Sequence, residues 1–296
     1  MKNLINIEQL TKDEINQIYQ RANDFEKGIR KANHPNGNII SMFFENSTRT
    51  RLSFQMAVNK INAKFYDFRA DVSSINKGEN IYDTINNLSA IGMNVVLLRH
   101  YDNNLIKELS DKKYYNEISF VNAGSGTDAH PTQALLDFYT LKKHFGELKG
   151  KTITFVGDIA HSRVVNSDIN LFKKFDMEIR CLAPECFIGE KIEGVEYYDS
   201  LTSAFENTDI IMVSRIQKER IQEYIDIDNY IKNYQVTKEN LPYSAFLMHP
   251  GPVNRGVEIS SDALELQNAK TILNQAKNGV FVRMAILDML LSSQGL

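Results

Sequence analysis

The stretch IISMFFENSTRTRLSFQMAV, residues 39–58, runs from a continuous apolar segment through a polar cluster into a helical pattern. Ile39–Phe44, apolar but for Ser41, reads as a strand buried on both faces. From about Thr50 onward, Phe54, Ala57, Val58 and Ile61 fall on one face of a helix. Between the two lie Ser47, Thr48, Arg49, Thr50 and Arg51. A helix beginning there points unpartnered amide N–H groups at the strand end, and its dipole adds roughly half a positive charge. The hydroxyls of Ser47, Thr48 and Thr50 and the bidentate fork of Arg49 complete a set matched to phosphate oxygens. An ordinary Ser/Thr helix cap flanked by solvated arginines uses the same residues, so the cluster alone leaves both open.

Outward from this stretch the same alternation repeats. Thr11 and Glu14 form a capping box for a helix over 11–28, closed by Gly28. Strand patterns at Lys64–Phe68, Val95–Arg99 and Ile118–Asn122 alternate with helical ones at about Asn80–Ile91 and Pro131–Phe145. The segment GELKGKT (146–152) marks a boundary, after which Thr152–Gly157, Glu178–Ala183, Asp209–Ser214 and Ala245–Met248 read as strands. Strand-then-helix repetition twice over predicts an α/β fold of two doubly wound parallel-sheet lobes, with the active site in the cleft between them. The lobes are expected at 1–145 and 146–279, with a C-terminal helix of about 280–296 packing back on the first.

In such sheets ligands lie beyond the carboxyl ends of the strands. The residues there are STRTR, Arg99-His100, AGSGTDAHPTQ, GDIAHSR, SRIQKER and HPGPVNR, with almost no carboxylates among them. That composition suits an anion that also carries a planar polar group. GSGTDA (124–129) resembles a dinucleotide-binding loop, but it lies in the third strand–helix unit, and Pro131 leaves a tight turn rather than a pyrophosphate cradle. His130 and Gln133, three apart at a helix start, face one way and suit a carbonyl or amide group. Taken singly these signals are bland: His130 reads as a capping or packing histidine, Arg163 and Arg215 as surface arginines, and Lys77 in SSINKGE (73–79) as a solvated tip. Their shared placement gives them weight.

With 296 residues, 43% of them apolar and 24% charged, the chain suits two ordinary globular lobes. A net charge of −3 argues against general binding to nucleic acid or to a membrane surface. No run approaches a membrane span, and MKNLINIEQL has no apolar core of signal-peptide length. Cys181 and Cys186 have no nearby histidine pair and read as small thiols, buried or semi-buried, in a reducing cytoplasm. No metal and no organic cofactor is expected.

FFENSTRTRLSF, SSINKGENIYDT, AGSGTDAHPTQALLD, GDIAHSRV, RIQKER and MHPGPVNRGVEI, in that order along the chain, resemble the aspartate and ornithine carbamoyltransferases. The ornithine enzymes carry a Cys in the position of Pro250, so His249-Pro250-Gly251-Pro252 is similar to the aspartate branch. The resemblance implies transfer of a carbamoyl group from carbamoyl phosphate to L-aspartate, early in pyrimidine synthesis, with the first lobe taking carbamoyl phosphate and the second aspartate. It implies that Ser47, Thr48, Arg49 and Thr50 hold the phosphate with help from Arg99. Thr50, Arg99 and His130 would polarise the carbamoyl oxygen, while Gln133 and the carbonyls of Gly251 and Pro252 hold the NH2. Arg163, Arg215 and Gln217 would clamp aspartate. Ser73 and Lys77 would reach a neighbouring subunit's site, which implies a homotrimer with shared active sites. Regulatory chains or other pyrimidine-pathway enzymes as partners stay open.

Overall fold

The computed structural model describes residues 1–70, 73–111, 117–216 and 226–296, and of Ser74 and Asn76 the backbone alone. The chain divides into two compact units, Met1–Tyr139 with Ala276–Leu296, and Thr140–Gln275.

In the first unit, β1 (Asn38–Phe43), β2 (Lys64–Phe68), β3 (Val95–Arg99) and β4 (Ser119–Asn122) form a parallel sheet in the order β2-β1-β3-β4. The helices α1 (Lys12–Glu26), α2 (Thr48–Lys60), α3 (Ile81–Ala90) and α4 (Leu105–Asp111) accompany it. Ile40, Met42, Val96, Leu98 and Phe120 pack with Ile85, Leu88 and Ile106 of α3 and α4, as expected of strands covered by helices. The chain before α1 extends the far edge, Leu4 N–H donating to Phe120 O and Asn122 N–H to Leu4 O, both at 2.8 Å. Nothing in its composition announced this pairing.

The chain passes to the second unit within α5 (Pro131–Phe145) and returns within α9 (Thr271–Ser293). Between them, β5 (Thr152–Gly157), β6 (Glu178–Leu182), β7 (Glu196–Tyr198), β8 (Ile210–Ser214) and β9 (Phe246–Met248) form a second parallel sheet, β7-β6-β5-β8-β9. The accompanying helices are α6 (Arg163–Lys174), α7 (Leu201–Phe205) and α8 (Ile227–Tyr234). The expected two-sheet α/β architecture is therefore present. β7 was missed because three edge residues cannot show a strand period.

In each sheet the strand order reverses once. The first sheet winds outward from β1 to β2 on one side and to β3 and β4 on the other. The second does the same about β5 and β8. The points where ligands settle in doubly wound sheets are thus the carboxyl ends of β1 and β3, and of β5 and β8.

Candidate active site

The helix expected from about Thr50 begins two residues earlier. Ser47 is the extended N-cap of α2, with Thr48, Arg49 and Thr50 as its first turn. The hydroxyl of Ser47 makes no capping bond, whereas Thr11, Asn80, Ser162, Ser200 and Asp226 each cap their own helices. No acidic residue enters the first turn of α2, so its amides and dipole face outward undiminished by a carboxylate. Arg49 is exposed and Thr50 buried. Arg51 turns aside, its Nη1 donating to Asp67 Oδ2 at 3.0 Å.

Register brings the next residue alongside, since Phe43 of β1 pairs with Arg99 of β3 and Phe44 N–H donates to Arg99 O at 2.8 Å. Arg99 Nε lies 3.4 Å from Glu45 Oε2. The expectation of strand ends nearly free of carboxylates is corrected here. Glu45, passed over within FFENSTRTR, pairs with a site arginine, and Asp158, directly after β5, is fully buried. Glu45 was overlooked because it precedes the STRTR cluster, and Asp158, within GDIAHSR, was counted as an exception although it pairs with His161.

Arg99 and His130 converge on Gly124. A Cβ there would lie 3.0 Å from Arg99 Nη1, 3.0 Å from His130 Cδ2 and 3.2 Å from His130 Nε2. Gly124 also has φ +105, which a side chain rarely tolerates. His130 is 5% exposed and precedes α5, its carbonyl accepting from Gln133 N–H at 2.9 Å. The GSGTDA loop is closed by Ser125 N–H donating to Ala129 O at 3.3 Å, and other amides in it are bonded to residues outside it. Gly124 N–H donates to Asn122 Oδ1, Gly126 N–H to His100 O and Thr127 N–H to Asn103 Oδ1, which occupies amides that a pyrophosphate would need. Asp128 is exposed. Burial holds the neighbouring His100 imidazole below its ordinary pKa, against the pull of Asp102 and Glu45.

Ser73 donates to Ala70 O at 3.0 Å, and Lys77 is exposed in the turn Ser74–Lys77. Among the described residues, neither is hydrogen-bonded or ion-paired to the group at the β1, β3 and β4 ends.

In the second unit Arg163 opens α6 and is 8% exposed. His161 Nδ1 lies 2.9 Å from Asp158 Oδ1, and Ser214 at the end of β8 donates to Ser162 at 3.1 Å. Arg215 follows directly, while Gln217 lies outside the described residues. Gly251 N–H donates to His249 Nδ1 at 2.7 Å, and His249 Nε2 lies 3.4 Å from the buried Glu258. Among the described residues no group of three or more His, Cys, Asp and Glu could hold a metal ion, and no helix is long and apolar enough to cross a membrane.

Each unit thus carries cations and donors at its own switch point. Residues 2–143 match the family model for the aspartate/ornithine carbamoyltransferase carbamoyl-P binding domain, and residues 149–290 match that for the Asp/Orn binding domain. The aspartate carbamoyltransferase catalytic subunit of Streptococcus pyogenes is 35% identical over 99% of this chain and 96% of its own. This chain belongs to the aspartate/ornithine carbamoyltransferase family. The catalytic subunit of M. jannaschii aspartate transcarbamoylase superposes with a TM-score of 0.87 at 32% identity, covering 99% of both chains. The Trypanosoma cruzi aspartate transcarbamoylase in complex with carbamoyl aspartate and phosphate gives 0.84 at 28%, over 97% of this chain and 94% of that one.

Proposed function

We propose that this chain transfers the carbamoyl group of carbamoyl phosphate to the amine of L-aspartate, giving N-carbamoyl-L-aspartate and phosphate. The observation that carries this in the chain itself is the meeting of Arg99 and His130 at Gly124, level with a helix start free of acidic residues. Solved relatives from T. cruzi with carbamoyl phosphate, and with aspartate and phosphate, agree in substrate chemistry.

Residues 1–145 with the C-terminal helix bind carbamoyl phosphate, and 146–279 bind aspartate. Ser47, Thr48, Arg49 and Thr50 hold the phosphate. The amine nitrogen attacks the carbamoyl carbon, forming a C–N bond as the C–O bond to phosphate breaks. Negative charge builds on the carbonyl oxygen, where Thr50, Arg99 and His130 donate, each worth about 3 kcal/mol. Gln133 and the carbonyls of Gly251 and Pro252 hold the NH2. The departing phosphate takes the amine proton, so no carboxylate base is needed. Arg163, Arg215 and Gln217 pair with the two carboxylates of aspartate, and holding both reactants in line supplies a further ~7–11 kcal/mol.

The chain works as a cytoplasmic homotrimer in pyrimidine synthesis, with Ser73 and Lys77 completing a neighbour's site. Leu52 and Met56, one turn apart on α2 and about half exposed, together with Tyr66 on the edge strand β2, are the apolar surface a second copy would cover. A carbamoyl-transfer assay with aspartate and ornithine in parallel tests the proposal. Turnover with aspartate alone is expected, and turnover with ornithine alone overturns it.

A further inference from the structure

Gln133, in the first turn of α5, is 8% exposed. Its Nε2 lies 3.2 Å and 3.1 Å from the two carboxylate oxygens of Asp137, one turn further along. Asp137 is fully buried, and a carboxylate accepts hydrogen bonds without donating them. The NH2 end of the Gln133 amide must therefore face Asp137, which leaves Oε1 on the other side. Among the described residues nothing donates to that oxygen.

Asp137 is in turn backed by α9. The Arg283 guanidinium, 3% exposed, donates from Nη1 to Ser53 Oγ at 3.0 Å and from Nη2 to Thr132 Oγ1 at 3.4 Å. It also lies over the Phe54 ring, 5.0 Å from the centroid. Burial draws its pKa down to about 10, with the Asp137 charge acting against that, so it remains a cation at neutral pH. Gly279, one turn before Arg283, leaves room for the guanidinium, since a Cβ there would stand 2.5 Å from Nη1. A cation so enclosed requires a nearby anion, and Asp137 is the one acting on it.

We propose that Asp137, backed by Arg283, is a positioning residue that fixes the Gln133 amide with Oε1 as acceptor, so that the site prefers an acyl phosphate bearing NH2 to one bearing methyl. This rests on Gln133 being the contact for the carbamoyl NH2. Without Asp137 the amide turns over freely, and an NH2 facing the ligand's NH2 repels it. The pair thus acts on recognition of one group and leaves phosphate binding alone.

The test compares binding of carbamoyl phosphate, acetyl phosphate and inorganic phosphate by calorimetry in the full-length protein and in Gln133→Met and Asp137→Asn. The unaltered protein should prefer carbamoyl to acetyl phosphate by more than about tenfold, Gln133 adding the worth of one hydrogen bond to what the Gly251 and Pro252 carbonyls supply. Both variants should lower that ratio, Gln133→Met by about tenfold, with the share owed to the Gly251 and Pro252 carbonyls kept and phosphate affinity unchanged, an outcome that a general loosening of the fold would not give. If Gln133→Met lowers the ratio while Asp137→Asn leaves it unchanged, Gln133 touches the NH2 but Asp137 does not orient it, and the proposal is overturned alone. If Gln133→Met leaves the ratio unchanged, the Gln133 assignment falls and the proposal with it. Should Asp137→Asn fail to fold with Arg283 stranded, the double variant D137N/R283M removes both buried charges and is judged by the same ratio.

Discussion

Gly124 shows how much a single missing side chain can organise. Its Cα hydrogen side is filled by Arg99 and His130, and its φ of +105 resists any substitution. Gly124→Ala should displace both donors and lower kcat by about a hundredfold, the cost of misplacing groups by an ångström. Steady-state kinetics checks this, and a kcat within twofold of the parent would separate Gly124 from the chemistry. The cysteines differ as sharply. Burial pushes the Cys181 thiol up to about 12, while Cys186 is exposed, contrary to the expectation of two sheltered thiols. Iodoacetamide on the native protein should alkylate Cys186 and spare Cys181 until the fold is denatured; mass mapping of the peptides decides.

At the scale of elements, the capping box of α1 was legible because its four positions are local: Thr11 accepts from Glu14 N–H at 3.2 Å, and Glu14 accepts from Thr11 N–H at 2.9 Å. That backbone bond chiefly holds the Glu14 carboxyl below its ordinary 4.5. A carboxyl lowered in the folded state stabilises fully above its unfolded pKa and loses its effect as pH falls through the folded value. Glu14→Ala removes the cap bond and should cost about 1 kcal/mol at pH 7, and less near pH 3. Denaturant titrations at both pH values test it, and an undiminished gap at pH 3 would assign the loss to something other than the carboxylate. The start of α2 was harder to place, since Ser47, Thr48 and Thr50 are all acceptable caps, and only backbone geometry selects Ser47. Glu45 was invisible for a different reason: its partner Arg99 lies on another strand, and its value depends on β1 and β3 being neighbours.

Over the whole molecule, residues far apart in the chain complete one another. Asp288 of α9, almost fully buried, accepts from Arg21 at 2.6 Å and Arg30 at 2.9 Å and lies 2.9 Å from His34 Nε2. Asp288→Ala leaves those groups facing a void and should cost about 3 kcal/mol, measurable as a lower Tm and denaturant midpoint. A loss under ~1 kcal/mol would show the cluster to be solvated in practice. If sites are shared between subunits, inactive Lys77→Ala and Arg49→Ala proteins should regain activity when mixed and allowed to exchange. No recovery in hybrids of verified composition would refute sharing. The residue types at the strand ends, the alternation of strand and helix, and the family motifs were all determined by sequence, because each depends on neighbours within a turn or a loop. Strand order, the pairing of Arg99 with Glu45, the closeness of Arg99 and His130, and the buried Gln133–Asp137–Arg283 chain were decided only in three dimensions. Apart from Gln133 and Asp137, one turn apart on α5, those groups come from segments tens of residues or more apart, and only packing of the parallel sheet and its helices brings such segments into reach.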